Sequence, residues 1–356
     1  MRILIDIGHP AHVHLFKNFA KLMIESGNEV LFTCREKEFE IDLLEAEGFN
    51  FRSFGSKYHS VAGKIFGLLL FNLKLWYYSI GFKPDMFVSA GSIYASHISF
   101  LTNKPHISFE DTGNMEQIRL YLPFTRIVFC PRQLPEKLGD KEFRYDGYHE
   151  LAYLAPKYFN PSEEIYEFLG IDRQEKFAIL RFVSWNATHD VGQAGFSAEE
   201  KDRIVEYLSS RYTLFISSES EVPKKFEKFK ISIPPDKIHD ALYFAELVVS
   251  EGATMASESG VLGTPSFYVN SLRRCYNEDQ EKFGLVFNFQ TADGLFDRIK
   301  EIESLPNRTE EFKERRTHML KTKIDVTAFL VWFVKEFPSS ESVIREKEDF
   351  QLNFKL

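Results

Sequence analysis

Ser250-Glu251-Gly252-Ala253-Thr254-Met255-Ala256-Ser257-Glu258-Ser259-Gly260, followed by Gly263-Thr264-Pro265, decides how the chain folds. An apolar run over 247–250 precedes it and reads as a buried strand. Small residues then make a tight turn, a helix is predicted over 255–262, and a second apolar run at 266–269 reads as the next strand. Strand, helix and parallel strand form the βαβ unit of a doubly wound α/β sheet. Amide N–H groups at such a helix start suit a diphosphate. Glu258, one turn in, can accept hydrogen bonds from two ribose hydroxyls. The plain alternative is a helix packed closely on its sheet through small residues.

The same rhythm extends on both sides. In the second half, strands are predicted over 177–183 and 212–217 and helices over 198–210 and 238–245. The first half repeats the alternation, with strands at 3–7, 29–33, 86–89, 106–109 and 127–130 and helices at 14–26, 39–47 and 92–101. Around residue 150 the pattern loses its period, with Pro156 and Pro161 nearby. The expected fold class is α/β, with two doubly wound Rossmann-like domains facing a cleft. Residues 1–150 form an N-terminal domain and 151–176 the crossing. Residues 177–324 form a C-terminal domain, 325–337 the last strong helix, and 338–356 a charged, loosely ordered tail.

Composition narrows the function. The 356 residues exceed one ordinary core and suit two α/β domains. A formal net charge of -8 disfavours binding to a nucleic-acid backbone. Cys34, Cys130 and Cys275 are widely spaced and form neither a CxxC pair nor a metal-ligand set, which fits a reducing cytoplasmic compartment. Met1 leads straight into the first strand, so no signal peptide is expected. The stretch 65–81 is apolar but is interrupted by Asn72 and Lys74 and is too short to span a bilayer. It reads as an amphipathic helix, and Lys57, Lys64, Lys74 and Lys83 leave open a peripheral membrane contact through 57–83, at the inner face of the membrane.

Three further motifs follow predicted strands, where ligands of such sheets bind. Gly8-His9-Pro10-Ala11-His12-Val13-His14 opens a helix without dinucleotide GxGxxG spacing. His12 is its candidate catalytic group, with Gly8 and His9 beside it; structural hydrogen bonding is the other reading. Ser108-Phe109-Glu110-Asp111-Thr112-Gly113-Asn114 offers Glu110 or Asp111 as a general base, with Asn114 close by, although Asp111 or Thr112 could simply cap a helix. Ser184-Trp185-Asn186-Ala187-Thr188-His189-Asp190 follows Arg181, a charge inside a strand that needs a partner, either a diphosphate or an acid such as Glu219. No metal-ligand set is recognised.

The 250–260 segment resembles the donor-binding stretch of GT-B glycosyltransferases, especially the N-acetylglucosaminyltransferase of lipid II, and of UDP-N-acetylglucosamine 2-epimerases. Gly252, Ala253, Ser257 and Glu258 keep the transferase spacing, with the Thr displaced by one place. Ala11-His12-Val13, Ser89-Ala90-Gly91-Ser92, Glu110 and Gly147 extend the likeness, and the whole chain resembles an uncharacterised bacterial and archaeal family of this fold. The resemblance implies that Glu258 holds the ribose and the Gly252–Ser257 turn the diphosphate, that 1–150 is the acceptor domain and 177–324 the nucleotide-donor domain, and that 325–337 is a closing helix packing back on the first domain. The transferase's Gly-rich N-terminal loop and paired Gln residues are missing, with Asn277-Glu278-Asp279-Gln280 in the latter region, so the identities of donor and acceptor do not carry over.

The expectation is a metal-independent glycosyltransferase of surface glycan or polysaccharide synthesis, without a cofactor. It would join a nucleotide-diphosphate sugar to a glycan or lipid-linked acceptor. His12, Glu110 and Asp111 are its catalytic candidates. Arg181, Ser184, Asn186, His189, Gly252, Ala253, Thr254, Ser257 and Glu258 are its donor site, with Gly8, His9, Asn114 and Asp279 lining the cleft. The alternatives are a nucleotide-sugar epimerase and a non-catalytic nucleotide or glycan binder.

Overall fold

The computed structural model describes residues 1–36, 38–56, 61–183, 195–218 and 221–356, with backbone alone at 61, 62, 64 and 65. It divides into two units, 1–153 with 323–356, and 154–322.

The first unit is built on a seven-stranded, wholly parallel sheet. Its strands are β1 (Arg2–Ile7), β2 (Glu29–Glu36), β3 (Phe51–Ser56), β4 (Met86–Ala90), β5 (His106–Phe109), β6 (Ile127–Pro131) and β7 (Glu142–Tyr145), in the order β3-β2-β1-β4-β5-β6-β7. Between them run α1 (Pro10–Glu25), α2 (Glu40–Ala46), α3 (Val61–Phe82), α4 (Ile93–Leu101) and α5 (Met115–Tyr121), with the short α6 (Leu151–Leu154) after β7. Right-handed crossovers put α1 and α2, which lead outward to β3, on one face, and α3, α4 and α5, which lead toward β7, on the other. Packing agrees. Leu4, Leu31, Phe54 and Phe87 of the sheet meet Phe71 and Leu75 of α3 and Ala95 and Ile98 of α4. Across the sheet, Phe16 of α1 sits edge-on to Phe109.

α1 shows how sequence makes these elements. Pro10 occupies its first turn, where its missing N–H costs nothing. Val13, Leu15, Phe16, Phe19, Ala20 and Met23 then bury one face, and Gly27 at φ +79° ends the run.

The second unit has a five-stranded parallel sheet of β8 (Phe177–Phe182), β9 (Thr213–Ser218), β10 (Leu247–Ser250), β11 (Ser266–Val269) and β12 (Val286–Phe289), ordered β12-β11-β10-β8-β9. Its helices are α7 (Ile165–Leu169), α8 (Ala198–Ser209), α9 (Ile238–Phe244), α10 (Ala253–Leu262), α11 (Cys275–Lys282), α12 (Leu295–Glu303) and α13 (Arg308–Leu320). The first unit is then completed by α14 (Val326–Lys335) and α15 (Ser339–Glu346). α14 sets Phe329 and Phe333 edge-on to Phe129 of β6, at 5.4 and 4.9 Å between ring centroids.

The segment from 338 corrects an expectation. It is not loose: Trp332 packs against Phe350 with 4.6 Å between ring centroids, and buried Gln351 accepts the Asp146 N–H and donates to the Arg144 carbonyl. A charged surface masks an apolar underside there. Residues 154–176, expected as a crossing, lie within the second unit and contain α7.

Both sheets change winding direction once, between β1 and β4 in the first unit and between β8 and β10 in the second. Ligands of doubly wound sheets bind at the carboxyl ends of strands at such points.

Candidate functional site

In the first unit the switch point is rich in side chains that hold one another. At the end of β1, the His9 side chain caps α1 by accepting the Ala11 N–H at 3.2 Å, and His12 Nδ1 accepts the Gly8 N–H at 3.3 Å. That second bond leaves the proton of neutral His12 on Nε2. Burial, with the neighbouring charges of His9 and His149, holds the His12 pKa well below the usual histidine value, so the ring stays neutral. Gly8 is packed against the Arg35 guanidinium so closely that any Cβ would displace it. Arg35 lies over the Tyr94 ring, 5.1 Å from its centroid. Beneath, buried Asp6 accepts hydrogen bonds from Thr33 and Ser92, joining β1, β2 and the start of α4.

Glu110 follows β5 directly, and its carboxylate is fully engaged. Oε1 accepts from the Thr112 and Gly113 N–H groups and the Thr112 hydroxyl, at 2.6–3.1 Å, and Oε2 accepts from the Tyr121 hydroxyl at 2.7 Å. A carboxylate has about four acceptor positions, so four donors leave little for a substrate hydroxyl. Asn114 caps α5 by accepting the Gln117 N–H at 3.4 Å.

Asp111 has a different partner. Its Oδ2 lies 2.9 Å from Nδ1 of His149, a residue the motif reading passed over. Burial opposes charge on His149, but Asp111, with Glu150 and Glu110, wins and raises its pKa above the usual value. Nδ1–H faces the carboxylate, while the buried Nε2 has no hydrogen-bond partner. Aspartate, oriented imidazole and an unpartnered Nε2 are the parts of a general base. A sequence signal existed in Gly147-Tyr148-His149-Glu150, a histidine just past β7, but 38 positions separate it from Asp111.

The second unit's switch point presents backbone. Gly252 starts α10 with an extended conformation, no side chain caps the helix, and its first turn holds no acid. Ser250 stiffens the turn, accepting the Gly252 N–H and donating to its carbonyl. Ala253 and Thr254 are half-buried at this helix start. At the end of neighbouring β8, half-buried Arg181 donates to the Ser217 hydroxyl at 2.8 Å. Glu219, its expected alternative partner, lies outside the described residues, as do Ser184, Asn186 and His189.

Three side chains here have partners that the motif reading did not name. The Ser257 hydroxyl is fully buried and accepts from Gln280 at 2.6 Å, so it locks α10 to α11 instead of facing a diphosphate. Glu258 is buried and bonded through Oε1 to His239 Nε2 of α9, at 2.9 Å. Asp279 is buried on α11 and pairs with Lys282. The sequence reading also assigned no role to Glu251, which is completely buried. It accepts the N–H groups of Val183 and Phe196 at 2.9 and 2.7 Å, with Lys201 at 3.6 Å, and so ties together the residues flanking 184–194. Burial raises its pKa against those partners.

Among the described residues no group of three or more His, Cys, Asp or Glu is arranged to hold a metal ion. No described helix is long and apolar enough to cross a membrane.

The fold is shared widely. A UDP-GlcNAc 2-epimerase from Neisseria meningitidis, solved with UDP-GlcNAc, matches with a TM-score of 0.68 at 12% identity over 94% of this chain and all of that one. A Streptomyces glycosyltransferase, SsfS6, matches at 0.57 and 12% identity over 94% and 100%. The two-unit α/β architecture is thus the GT-B fold. In sequence, an uncharacterised protein of Methanocaldococcus jannaschii is 24% identical over 279 residues, covering 74% of this chain and 80% of that protein. Residues 1–337 match one family model, and the chain belongs to that family, described as Protein of unknown function (DUF354).

Proposed function

We propose that this protein is a glycosyltransferase that moves a sugar from a nucleoside-diphosphate donor to an acceptor hydroxyl, with the Asp111–His149 dyad as its base. The dyad is the observation that carries the reading. An epimerase must remove and return a proton on opposite faces of one carbon, which calls for two available bases. Here Glu110 is engaged by four donors and Asp111 is committed to His149, so among the described candidates of this switch point one base remains.

In this reading His149 Nε2 takes the acceptor's hydroxyl proton while that oxygen bonds to the anomeric carbon. The bond from this carbon to the diphosphate breaks, and its electron pair leaves with the nucleoside diphosphate. The amides that open α10 and the Arg181 guanidinium stabilise the charge on the leaving group, without a metal. Neutral His12, with its proton on Nε2, donates a hydrogen bond that orients a substrate oxygen; it is not the base. Glu110 positions the 110–114 turn, and Glu258 with His239 receives the ribose. A glycan or lipid-linked acceptor on the first unit, in surface-glycan synthesis, completes the proposal.

The test is incubation with a panel of UDP-, GDP-, dTDP- and CDP-sugars and hydroxyl acceptors, read by product mass, with and without a chelator. Acceptor-dependent release of nucleoside diphosphate that survives chelation supports the reading. An isomerised donor formed without acceptor would replace it with epimerisation.

A further inference from the structure

α3 is apolar on both its inner and its outer face, with Asn72 and Lys74 between them. Its inner face supplies Phe71, Leu75 and Tyr78 to the core of the first unit. A helix of that kind should be covered on both sides, yet the outer face is open. Phe66, Leu69, Leu73, Trp76, Tyr77 and Ile80 recur at intervals of three and four along it, with Leu69 62% and Tyr77 72% exposed. The helix runs about 33 Å over its 22 residues.

The layer continues beside it. α4 packs on α3 and ends in Phe100 and Leu101, the latter 70% exposed. Phe124, just after α5, meets Phe100 at 5.3 Å between ring centroids. α3, α4 and α5 therefore present apolar side chains from one side of one sheet, well beyond what a soluble monomer scatters singly.

The charge on this layer is one-sided. Between Gly48 and Phe109 the chain carries Arg52, Lys57, Lys64, Lys74, Lys83 and Lys104 against a single acid, Asp85, although the whole protein has a formal net charge of -8. Lys83 and Lys104 are exposed at the ends of α3 and α4. Asp85 accepts a hydrogen bond from the Arg2 N–H.

We propose that the outer face of α3, with the end of α4 and Phe124, is a docking surface for an anionic lipid bilayer. Leu and Phe side chains enter the acyl boundary, Trp76 and Tyr77 lie at the headgroup level, and Lys83 and Lys104 face lipid phosphates. A second copy of the chain fits less well, because a two-fold contact sets the patch against itself with lysines and almost no acid to meet them. The inference is independent of the transfer reaction, since vesicle binding needs neither donor nor acceptor.

The test is co-sedimentation of the full chain with vesicles of phosphatidylcholine alone and of phosphatidylcholine with phosphatidylglycerol, alongside its mass in solution by light scattering. The expected result is a monomer that partitions onto the anionic vesicles. Partitioning should fall about tenfold or more in Leu69→Glu/Leu73→Glu, and less in Lys83→Glu/Lys104→Glu, with unchanged circular-dichroism melting. All four side chains point away from the core, so the variants fold. Absence of vesicle binding, binding unchanged in Leu69→Glu/Leu73→Glu, or a dimer that this variant splits would each overturn the proposal.

Discussion

The two switch points solve opposite problems. In the first unit the strand ends carry side chains bonded to each other: Glu110 to Tyr121 and Thr112, Asp111 to His149, His12 to the Gly8 amide. In the second, the exposed element is the backbone that opens α10, and the side chains are turned inward to hold it: Ser257 to Gln280, Glu258 to His239, Glu251 to the residues flanking 184–194. Side chains can move protons; backbone amides can hold an anion without titrating. The division suits the transfer proposed above, in which a side chain takes the proton and backbone amides hold the leaving diphosphate.

That comparison breaks most sharply at the dyad. His149→Ala should lower turnover about 10²- to 10⁴-fold while leaving nucleotide affinity unchanged. Calorimetry and product assay together check it; equal losses of both would erase the division of labour. The dyad also predicts a pH dependence of stability. Folding raises the His149 pKa above its usual value of 6.5, so the pairing with Asp111 stabilises fully below that value and fades as pH rises through the folded value. Melting temperature should decline over that window above pH 6.5, and Asp111→Asn should flatten the decline.

Glu251→Ala is the next largest effect and belongs to the second unit. It leaves the Val183 and Phe196 amides without their acceptor and should cost about 1–3 kcal/mol of stability for each buried group, read by denaturant unfolding. Glu258→Ala should weaken nucleotide binding about tenfold, roughly 1.4 kcal/mol, without unfolding the protein; unchanged affinity would remove the ribose role. The smallest effect is the most pointed. Thr254→Glu places a carboxylate in the uncapped first turn of α10, where it should stabilise the fold by about 0.3–1 kcal/mol and yet weaken diphosphate binding.

Much of the fold was legible because central strands are buried on both faces and read as apolar runs. The strands that escaped are β3, β7 and β12, and each is a sheet edge. Phe51-Arg52-Ser53-Phe54-Gly55-Ser56 buries only Phe54, so its pattern resembles a loop. The turn at Gly252 was also legible, because small residues after a strand have few other uses. His149 and His239 were not: each meets its carboxylate partner only through tertiary packing, across 38 and 19 positions. Ser257 and Glu110 were seen but their partners were not, because sequence reveals a polar group near a strand end and not which neighbour claims its hydrogen bonds.

The chain leaves the first unit at Tyr153 and returns at Lys323. Phe129 of β6 therefore waits for Phe329 and Phe333, which are made about 200 residues later. At roughly 5–20 residues per second, synthesis of the intervening unit takes on the order of 10–30 s. Throughout that interval the nascent first unit exposes an uncovered aromatic face, while the second unit can already fold. A chaperone acting on the growing chain would find its work there, and the later-made unit would be the first to mature.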